Sequence, residues 1–313
     1  MSTAPHPPAP DLLADAALPA AVTTPPWRDY LTLTKPEIAF LVALSALAGF
    51  FLAPASAFDG WTLLAALVGI TLTAGGSGAL NHYLERDLDT RMRRTARRPI
   101  AAGRMAPETA RTFGLVLVAA GLALLCPLTN PLTGVLAALT VVLYLYVYTP
   151  LKRVTKYNTL VGTLPGALPA LGGYTAATGE FGVAGWLLFA VLLCWQMPHF
   201  FALAWMYRKD YARAGYAMLP VVEPSGRSTT RQTLGFTVLM IVASLALPLT
   251  GAVGWLYTAG ALGLGVWFLR PVLRFYVDTT AYRARRVLMA SVGYIPLLVA
   301  CIVADRLLAW LLA

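Results

Sequence analysis

The chain has 313 residues, and its composition excludes an ordinary soluble enzyme. Apolar residues make up 58% of the sequence and charged residues 12%, whereas an average soluble domain carries about 25% charged residues. The mean hydropathy of +0.67 and several long uncharged runs indicate a polytopic α-helical membrane protein. The net charge of +10 is concentrated in short segments between the apolar runs, which favours a role in membrane orientation over nucleic-acid binding.

Nine apolar runs predict nine transmembrane helices. Residues 1–33 precede them, are rich in Ala and Pro, and lack a signal-peptide pattern. We therefore expect a flexible cytosolic N-terminal tail over 1–33 and one membrane domain over 34–313. Thr34, Pro36 and Glu37 fit a capping box that would begin the first helix. The predicted spans are residues 38–53, 61–84, 112–125, 132–148, 159–178, 183–207, 234–249, 253–269 and 287–312.

The distribution of charge agrees with this count. All but one of the 24 Lys and Arg residues fall on one side of a nine-helix arrangement, in the N-terminal tail and in the loops after the second, fourth, sixth and eighth spans. Arg306 is the exception. The positive-inside rule predicts that this side, and with it the N-terminus, is cytoplasmic. The lack of an Arg-rich organelle-targeting pattern favours a bacterial inner membrane.

The fifth predicted span is unusually rich in Gly and Pro. Such an interrupted helix is tolerated in a membrane where protein or a polar cavity satisfies the loosened backbone. The span is therefore expected to border a cavity, and close helix packing through small residues is the alternative. The residues concerned are Gly162, Pro165, Gly166, Pro169, Gly172 and Gly173.

Three oxygen-bearing side chains form one stripe at the end of the second predicted span. Asn81, Glu85 and Asp89 are spaced i, i+4, i+8, so on a helix they lie within about 80° of one another, while Asp87 points away. Mg²⁺ in proteins is bound by one or two carboxylates together with waters and phosphate oxygens. The stripe therefore predicts a magnesium site, with a solvated helix end as the alternative.

Basic side chains suited to a polyanion follow the stripe and also occupy the loops after the fourth and sixth spans. An internal duplication of a four-helix unit would bring Asp210, after the sixth span, to the same cavity as the stripe. Arg matches phosphate oxygens bidentately, so we predict an intramembrane enzyme that binds a lipid diphosphate. The alternative is that these bases only fix topology or contact anionic lipid. The predicted diphosphate contacts are Arg94, Arg98, Lys152, Arg153 and Lys209.

The stripe and its context resemble the UbiA-type intramembrane prenyltransferases. Asn81-x₃-Glu85-x₃-Asp89 is similar to the first Asp-rich motif of that family, with Glu85 at a position where Asp is common. The resemblance extends over residues 34–231 and is strongest to the heme-farnesylating members. It implies an all-α bundle of nine helices around a central cavity that opens to the cytoplasmic side. The other matching segments are 34–36, 92–103, 148–158, 195–200 and 210–220.

The resemblance also implies a reaction. A farnesyl group would pass from farnesyl diphosphate to the 2-vinyl group of protoheme IX with help from Mg²⁺, and water addition would give heme O and diphosphate. Heme O is a precursor of heme A, so the implied partners beyond the two substrates and the bilayer are heme A synthase or terminal-oxidase assembly factors. The catalytic residues implied by matching position are Asn81, Glu85, Asp89 and Asp210, of which the first three would hold the metal.

Other interpretations of the same residues remain open. His199 and His82 are candidate heme contacts, although buried histidines more often pack and form hydrogen bonds, and the basic loops could hold heme propionates instead. The acceptor could be an aromatic acid or a quinone precursor. The chain could also be a secondary transporter, which would place its acids near the bilayer midplane. Acids at helix ends beside arginines favour a phosphate site.

Overall fold

The protein is described by a computed structural model over residues 25–312, and all regular secondary structure in that range is helical. Two 3₁₀-helices (Ala55–Ala57 and Leu247–Thr250) and a π-helix (Leu143–Tyr148) accompany the α-helices. The α-helices are α1 (Trp27–Leu33), α2 (Pro36–Phe51), α3 (Gly60–Asp89), α4 (Pro107–Leu128), α5 (Pro131–Val142), α6 (Thr149–Val154), α7 (Asn158–Thr178), α8 (Val183–Met206), α9 (Arg208–Arg213), α10 (Leu219–Val222), α11 (Arg227–Ala246), α12 (Trp255–Val277) and α13 (Ala281–Leu312).

Seven of the described helices are long and apolar enough to cross a membrane. They are α3, α4, α8, α12, α13, the continuous segment Pro131–Val154, and Arg227–Thr250. An eighth is added if α1 and α2, which meet at 50°, form one bent span. The chain is therefore a multi-pass membrane protein. The fifth predicted span coincides with α7, whose 21 residues include Pro165 and Pro169.

The capping box predicted for the first span is wrong, because Thr34 ends α1 and does not begin α2. The Thr34 hydroxyl donates to the Leu31 carbonyl at 2.8 Å, and α2 begins at Pro36 with no side-chain cap. A residue before proline disfavours the α-helical conformation. The chain therefore turns at Lys35, which adopts the left-handed conformation with a φ of 51°.

The helix α1 lies in the segment that the sequence analysis assigned to a flexible tail. Leu33 is fully buried, and Asp29 accepts hydrogen bonds from the Arg104 guanidinium at 2.9 to 3.3 Å. This ion pair fastens α1 to the loop between α3 and α4, so residues 27–33 belong to the folded unit. Residues 1–24 of the predicted tail lie outside the described residues.

Glycines allow two pairs of helices to approach closely. A Cβ atom on Gly76 of α3 would lie 2.7 Å from the Gly114 carbonyl oxygen of α4, and one on Gly173 of α7 would clash with the Ala46 carbonyl of α2. Small residues at such contacts are a general device of membrane helix packing, because lipid gives no hydrophobic drive to bring helices together. The result is a tight group of helices, three of which, α2, α3 and α7, also line the main cavity.

The second half of the chain contributes most of the largest apolar core, which also includes residues of α2 and α7. Helices α8, α11, α12 and α13 bury large aromatic side chains against one another, including Tyr257, Phe268, Phe275 and Tyr294. The Tyr257 hydroxyl, which would be costly to bury alone, lies 2.8 Å from the Ser244 hydroxyl. This core holds the four helices as one body beside the site.

Two charged side chains near the C-terminus of α13 bind backbone groups. Asp305 accepts from the N–H groups of Gly254 and Tyr257 at 2.6 and 3.1 Å, which caps the N-terminus of α12. Arg306 donates to the Ala53 carbonyl at 2.9 Å. Arg306 is therefore tied to the ends of neighbouring helices, which accounts for the one base that departs from the charge asymmetry.

Candidate active site

One cavity, of about 280 Å³, is enclosed by α2, α3, α5, α7 and α8 together with segments that connect them. Its apolar walls include Val42, Ile70, Leu136, Leu168 and Phe200. Its other end is polar. The titratable and amide side chains of that end are Lys35, Asn81, Glu85, Asp89, Arg94, Arg98, Tyr144, Tyr148, Lys152, Tyr211 and Tyr216.

The glycines and prolines of α7 contribute one wall of this cavity. Gly162, Pro165, Gly166 and Pro169 all line it, as expected for a span that borders a cavity. The alternative of close helix packing also holds, because Gly173 touches the backbone of α2. The same helix therefore packs through some of its small residues and leaves space with the others.

The three stripe residues of α3 lie side by side on the cavity wall. Asn81, Glu85 and Asp89 are 1%, 4% and 1% exposed, whereas the Asp87 side chain is 81% exposed on the other face. The 30 residues of α3 correspond to a length of about 45 Å, more than the roughly 30 Å of a hydrocarbon core. The last turns, which carry the carboxylates, can therefore stand outside the most apolar layer.

Each stripe residue is paired with a cation. Lys152 Nζ lies 2.7 Å from Glu85 Oε1, and Arg98 Nη1 donates to both carboxylate oxygens of Asp89 at 2.8 Å. Lys35 Nζ donates to Asn81 Oδ1 at 2.6 Å. Buried carboxylates are stable only when they are paired or hydrogen-bonded. The arrangement sets two carboxylates and three cations around one space.

The bend between α1 and α2 places Lys35 in the site. A non-glycine residue in the left-handed region costs on the order of 1–2 kcal/mol, so the surrounding structure must hold it there. The Lys35 ammonium donates to Asn81, and it also donates to the Tyr144 hydroxyl at 3.2 Å. The strained backbone thus directs a cation toward the stripe.

The π-helix fixes the wall opposite the stripe. Its wide turn is closed by the Thr149 hydroxyl, which donates to the Tyr144 carbonyl at 2.9 Å and accepts from Asn81 Nδ2 at 3.2 Å. Single π-turns inside helices occur frequently at functional sites. Here the π-turn faces the Tyr144 and Tyr148 rings into the cavity, with the Lys152 ammonium 4.7 Å from the Tyr148 ring centre.

The segment between α9 and α10 closes the polar end. The Tyr216 hydroxyl donates to Glu85 Oε1 at 3.0 Å. Burial and the nearby Glu85 carboxylate raise the pKa of the Tyr216 hydroxyl, so the phenol stays protonated and remains a donor at neutral pH. The Arg94 guanidinium lies 5.8 Å from the centre of the Tyr211 ring and donates to its hydroxyl at 3.3 Å.

Three of the charged residues predicted for the site do not line the cavity. Asp210 pairs with Arg213 on the short helix α9 and does not reach the stripe, contrary to the prediction from an internal duplication. Arg153 and Lys209 are exposed to solvent. Arg153 lies in α6, where its neighbour Lys152 lines the cavity instead, and Lys209 lies in α9.

The two candidate heme-contacting histidines also lie outside the lining. His199 Nδ1 is 2.8 Å from the Ser291 hydroxyl of α13, and its ring lies against Trp195. His82 is buried, and its Nδ1 has no hydrogen-bond partner among residues 25–312. The neighbours of His199 on α8 that do line the cavity are Phe200 and Gln196.

Several cavity residues were not assigned roles in the sequence analysis. The sequence could have identified Lys35 as a site residue, because it belongs to the Thr-Lys-Pro segment and is a base close to an apolar run. No comparable feature of the sequence pointed to Tyr216 or Gln196. The two amide N–H groups of Gln196 donate to the Thr163 and Leu192 carbonyls at 3.1 and 3.2 Å, which directs its carbonyl oxygen toward Gly166.

The chain matches a known protein family over most of its length. The family model described as the UbiA prenyltransferase family matches residues 42–312. The chain belongs to the UbiA prenyltransferase family. It is therefore a prenyltransferase, in agreement with the resemblance noted from the stripe on α3.

The names of individual relatives agree with this family assignment. A protein of Salinibacter ruber named protoheme IX farnesyltransferase is 59% identical over 88% of this chain and 98% of its own length. A protein of Solibacter usitatus with the same name is 43% identical over 89% of this chain and 99% of its own length. Among solved structures, a UbiA homologue from Archaeoglobus fulgidus bound to DMAPP and Mg²⁺ has a TM-score of 0.63 at 14% identity, covering 88% of this chain and 99% of that one. That likeness supports the UbiA fold.

The UbiA cavity of this chain has donors that fit Mg²⁺. No group of three His, Cys, Asp or Glu side chains positioned for a metal occurs within the described range, so a closed protein cage is not present there. Two carboxylates and one amide oxygen do line the polar end, in Glu85, Asp89 and Asn81. Mg²⁺ commonly takes one or two carboxylates and completes its coordination with waters and substrate phosphates, and this donor set meets that requirement.

Proposed function

We propose that this UbiA-family enzyme transfers a farnesyl group from farnesyl diphosphate to the 2-vinyl group of protoheme IX, with water addition, to give heme O and diphosphate. The observation that carries the proposal is the pairing of two buried carboxylates with cations at the polar end of a largely apolar cavity. The acceptor is inferred from relatives named protoheme IX farnesyltransferase at up to 59% identity. The relatives are needed for this proposal because the cavity indicates where a prenyl diphosphate would bind but does not identify the acceptor.

The diphosphate group would bind where the cations and carboxylates meet. Lys35, Lys152, Arg94 and Arg98 supply positive charge to phosphate oxygens, and arginine does so with two parallel hydrogen bonds. These cations now face carboxylates, the Asn81 amide oxygen or tyrosine side chains. A diphosphate with its divalent ion presents the complementary charges to both sets, so both can exchange partners without leaving a charge unpaired.

Glu85, Asp89 and Asn81 are the residues that would hold Mg²⁺. When bound there, Mg²⁺ neutralises negative charge that grows on the diphosphate as its bond to the allylic carbon breaks. The residues of the chain then act by position. Lys35 and Lys152 approach the stripe from two different sides and would keep the departing oxygens close to the carboxylates' end of the cavity.

The farnesyl chain would lie along the apolar walls. Val42, Leu136 and Leu168 offer hydrocarbon surface, and the rings of Tyr144 and Tyr148 face the space near the stripe. Aromatic faces stabilise positive charge, so they would favour the allylic cation as the carbon–oxygen bond breaks. The vinyl carbon of the porphyrin then forms the new carbon–carbon bond, and water adds to the resulting cation with loss of a proton.

We also propose a topology in which nine spans cross the inner membrane, counting α1 with α2 as one span and α7 as another. The N-terminus and the polar end of the cavity then face the cytoplasm, on the side that carries all Lys and Arg residues except Arg306. Residues 34–313 would form the membrane domain, extended by α1. The seven helices that meet the length and hydropathy requirement are compatible with this count.

Cysteine labelling tests the orientation. Lys156 and Phe181 are exposed at opposite ends of α7, and single cysteines can be introduced there after Cys126, Cys194 and Cys301 are replaced by serine. A membrane-impermeant maleimide added to spheroplasts should label the cysteine at 181 directly and the cysteine at 156 only after permeabilisation. The opposite pattern would overturn the orientation.

The proposed reaction is tested with purified protein, protoheme IX, farnesyl diphosphate and Mg²⁺. Mass spectrometry should show heme that has gained one farnesyl group and one hydroxyl group. Glu85→Gln and Asp89→Asn should lower the rate by about 10³-fold, whereas Asp87→Asn, on the exposed face of the same helix turn, should keep it. Heme that stays unmodified while an aromatic acceptor becomes prenylated would replace the proposed acceptor.

A further inference from the structure

A second cavity lies outside the prenyltransferase site, at the ends of α12 and α13. It has a volume of about 520 Å³ and shares no lining residue with the first cavity. Four of its lining residues are arginines. Arg270 and Arg274 come from the last turns of α12, and Arg283 and Arg286 come from the first turns of α13. The two helices form a hairpin, so four positive side chains converge from its two arms.

The arginines of this hairpin carry positive charge that nearby carboxylates only partly neutralise. Arg270 and Arg274 are spaced i, i+4 on one helix face, where like charges repel. The one acid beside them in the described part of the chain is Asp278, which pairs with Arg283 at 3.4 Å. The other three guanidinium groups have no carboxylate partner among residues 25–312. An anion placed between the arms would relieve this repulsion.

A general excess of bases on the cytoplasmic side does not account for this convergence. Arg285 lies between Arg283 and Arg286 in the sequence and is exposed, yet it does not line the cavity. Topology requires only that bases lie on one side of the membrane, and it sets no requirement that they face one another. The chain thus contains its own comparison, with one arginine outside the cavity and four that line it.

The surface next to the arginines is apolar. Along α12, Leu262 and Val266 precede Arg270 at intervals of four residues and are 52% and 47% exposed. On α13, Met289 and Val292 are 53% and 51% exposed on the side of the cavity away from the hairpin turn. Residues four apart share a helix face. The groove therefore changes from basic to apolar along the helix axis, as the head and tails of an anionic lipid do.

We propose that the α12–α13 hairpin binds an anionic phospholipid. Its phosphate would lie between the arginines of the two helices, which can each offer parallel hydrogen bonds to phosphate oxygens. Its acyl chains would follow the exposed apolar rows. Trp267 and Tyr282 also line the cavity, and such aromatic residues are typical of the membrane interface, where the headgroup lies. Basic pockets between membrane helices are known to hold anionic headgroups.

Native mass spectrometry of the purified, delipidated protein tests this proposal. Phosphatidylglycerol should bind at least about tenfold more tightly than phosphatidylcholine of the same acyl chains. Because each interfacial Arg adds about a fivefold factor in affinity, Arg270→Gln/Arg286→Gln should bind phosphatidylglycerol about 25-fold more weakly. The control Arg285→Gln removes one positive charge outside the cavity, as each single cavity substitution does inside it, and should stay within about twofold of the unchanged protein.

Three outcomes would overturn the proposal. They are equal binding of the two lipids, equal weakening by Arg285→Gln and by a cavity substitution, and complete displacement of phosphatidylglycerol by excess inorganic phosphate. If the double variant does not yield monodisperse protein, Arg274→Gln and Arg283→Gln should each weaken binding about fivefold. Failure of farnesyl transfer would leave this result unaffected, because the lipid measurement needs neither heme nor farnesyl diphosphate.

Discussion

Lys35 combines backbone strain with a position in the site, so changes there should separate stability from activity. The residue has a φ of 51°, and its ammonium lies 2.6 Å from Asn81 Oδ1. Lys35→Gln removes the charge but keeps the strained backbone, whereas Lys35→Gly removes both. Strain of this kind costs on the order of 1–2 kcal/mol for a residue with a Cβ atom and little for glycine.

The expected stabilities follow from these two contributions. A hydrogen bond from a charged donor contributes about 1.5–3 kcal/mol, so Lys35→Gln should lower the free energy of unfolding by about 2 kcal/mol. Lys35→Gly should recover about 1 kcal/mol of that loss through relief of strain. Unfolding in mixed detergent micelles, followed by circular dichroism, measures the difference between the two variants.

Unlike their stabilities, the activities of the two variants should be reduced to the same extent. Both variants lack a cation that we place against the diphosphate, so both should lose about 10² to 10³ in kcat/KM for farnesyl diphosphate, equivalent to about 3–4 kcal/mol. The KM for protoheme should change little. Exposed Lys156, altered to Gln, serves as the control for loss of one base. Near-normal kcat/KM in Lys35→Gly would show that Lys35 does not bind the diphosphate, and a glycine variant less stable than the glutamine variant would show that the backbone at residue 35 is not strained.

Three further substitutions test other parts of the structure. Lys152→Gln leaves the buried Glu85 carboxylate with only the Tyr216 hydroxyl as a donor. The free energy of unfolding should therefore fall by about 3 kcal/mol, and turnover should be lost. Unchanged stability would contradict the pairing of Lys152 with Glu85. Gly166→Ala places a methyl group against the Gln196 amide in the lining of the cavity, so kcat/KM should fall in the folded variant, and an unchanged value would contradict a role of this wall in substrate binding. Asp305→Ala removes the cap of α12 and should lower the free energy of unfolding by about 2 kcal/mol. The kcat should stay unchanged because α12 does not line the cavity, and a loss of kcat in the folded variant would show that the α12 cap affects the active site.

The stripe on α3 could be predicted because its geometry is contained in a single helix. Asn81, Glu85 and Asp89 recur every four residues, and helical periodicity alone puts them on one face and Asp87 on the other. The bordering role of α7 followed for a similar reason, since the spacing of Gly and Pro within one segment signals an interrupted helix next to open space.

The other half of the site depends on contacts between distant segments, which periodicity does not report. Tyr216 reaches Glu85 across 131 positions of sequence, and Lys35 reaches Asn81 only because the chain bends before Pro36. The same limitation explains why His199, predicted as a heme contact, lies outside the cavity lining. Its hydrogen bond to Ser291 spans 92 positions and turns its ring toward α13. Helical spacing identifies a face, but packing decides which neighbour that face meets.

Charge counting predicts which segments share one side of the membrane, but it does not predict which charged side chains line the cavity. Lys152 and Arg153 are adjacent, yet only Lys152 lines the cavity, because successive residues on a helix point about 100° apart. Asp210 was assigned by analogy between halves of the chain, and its local partner Arg213 holds it instead. A basic or acidic segment therefore indicates a region, while the helix phase of each residue decides its contact.

We propose that Asn81, Glu85 and Asp89 together hold a divalent ion that binds the isoprenoid diphosphate. The most direct measurement is an experimental structure with Mn²⁺ and farnesyl thiodiphosphate, a slowly reacting analogue, with the anomalous signal used to locate the metal. We expect the signal between the side-chain oxygens of these three residues and the phosphate oxygens, with Lys35, Lys152 and Arg98 turned toward the diphosphate. A metal signal beside Asp210, or a diphosphate bound without contact to Glu85 and Asp89, would contradict the account.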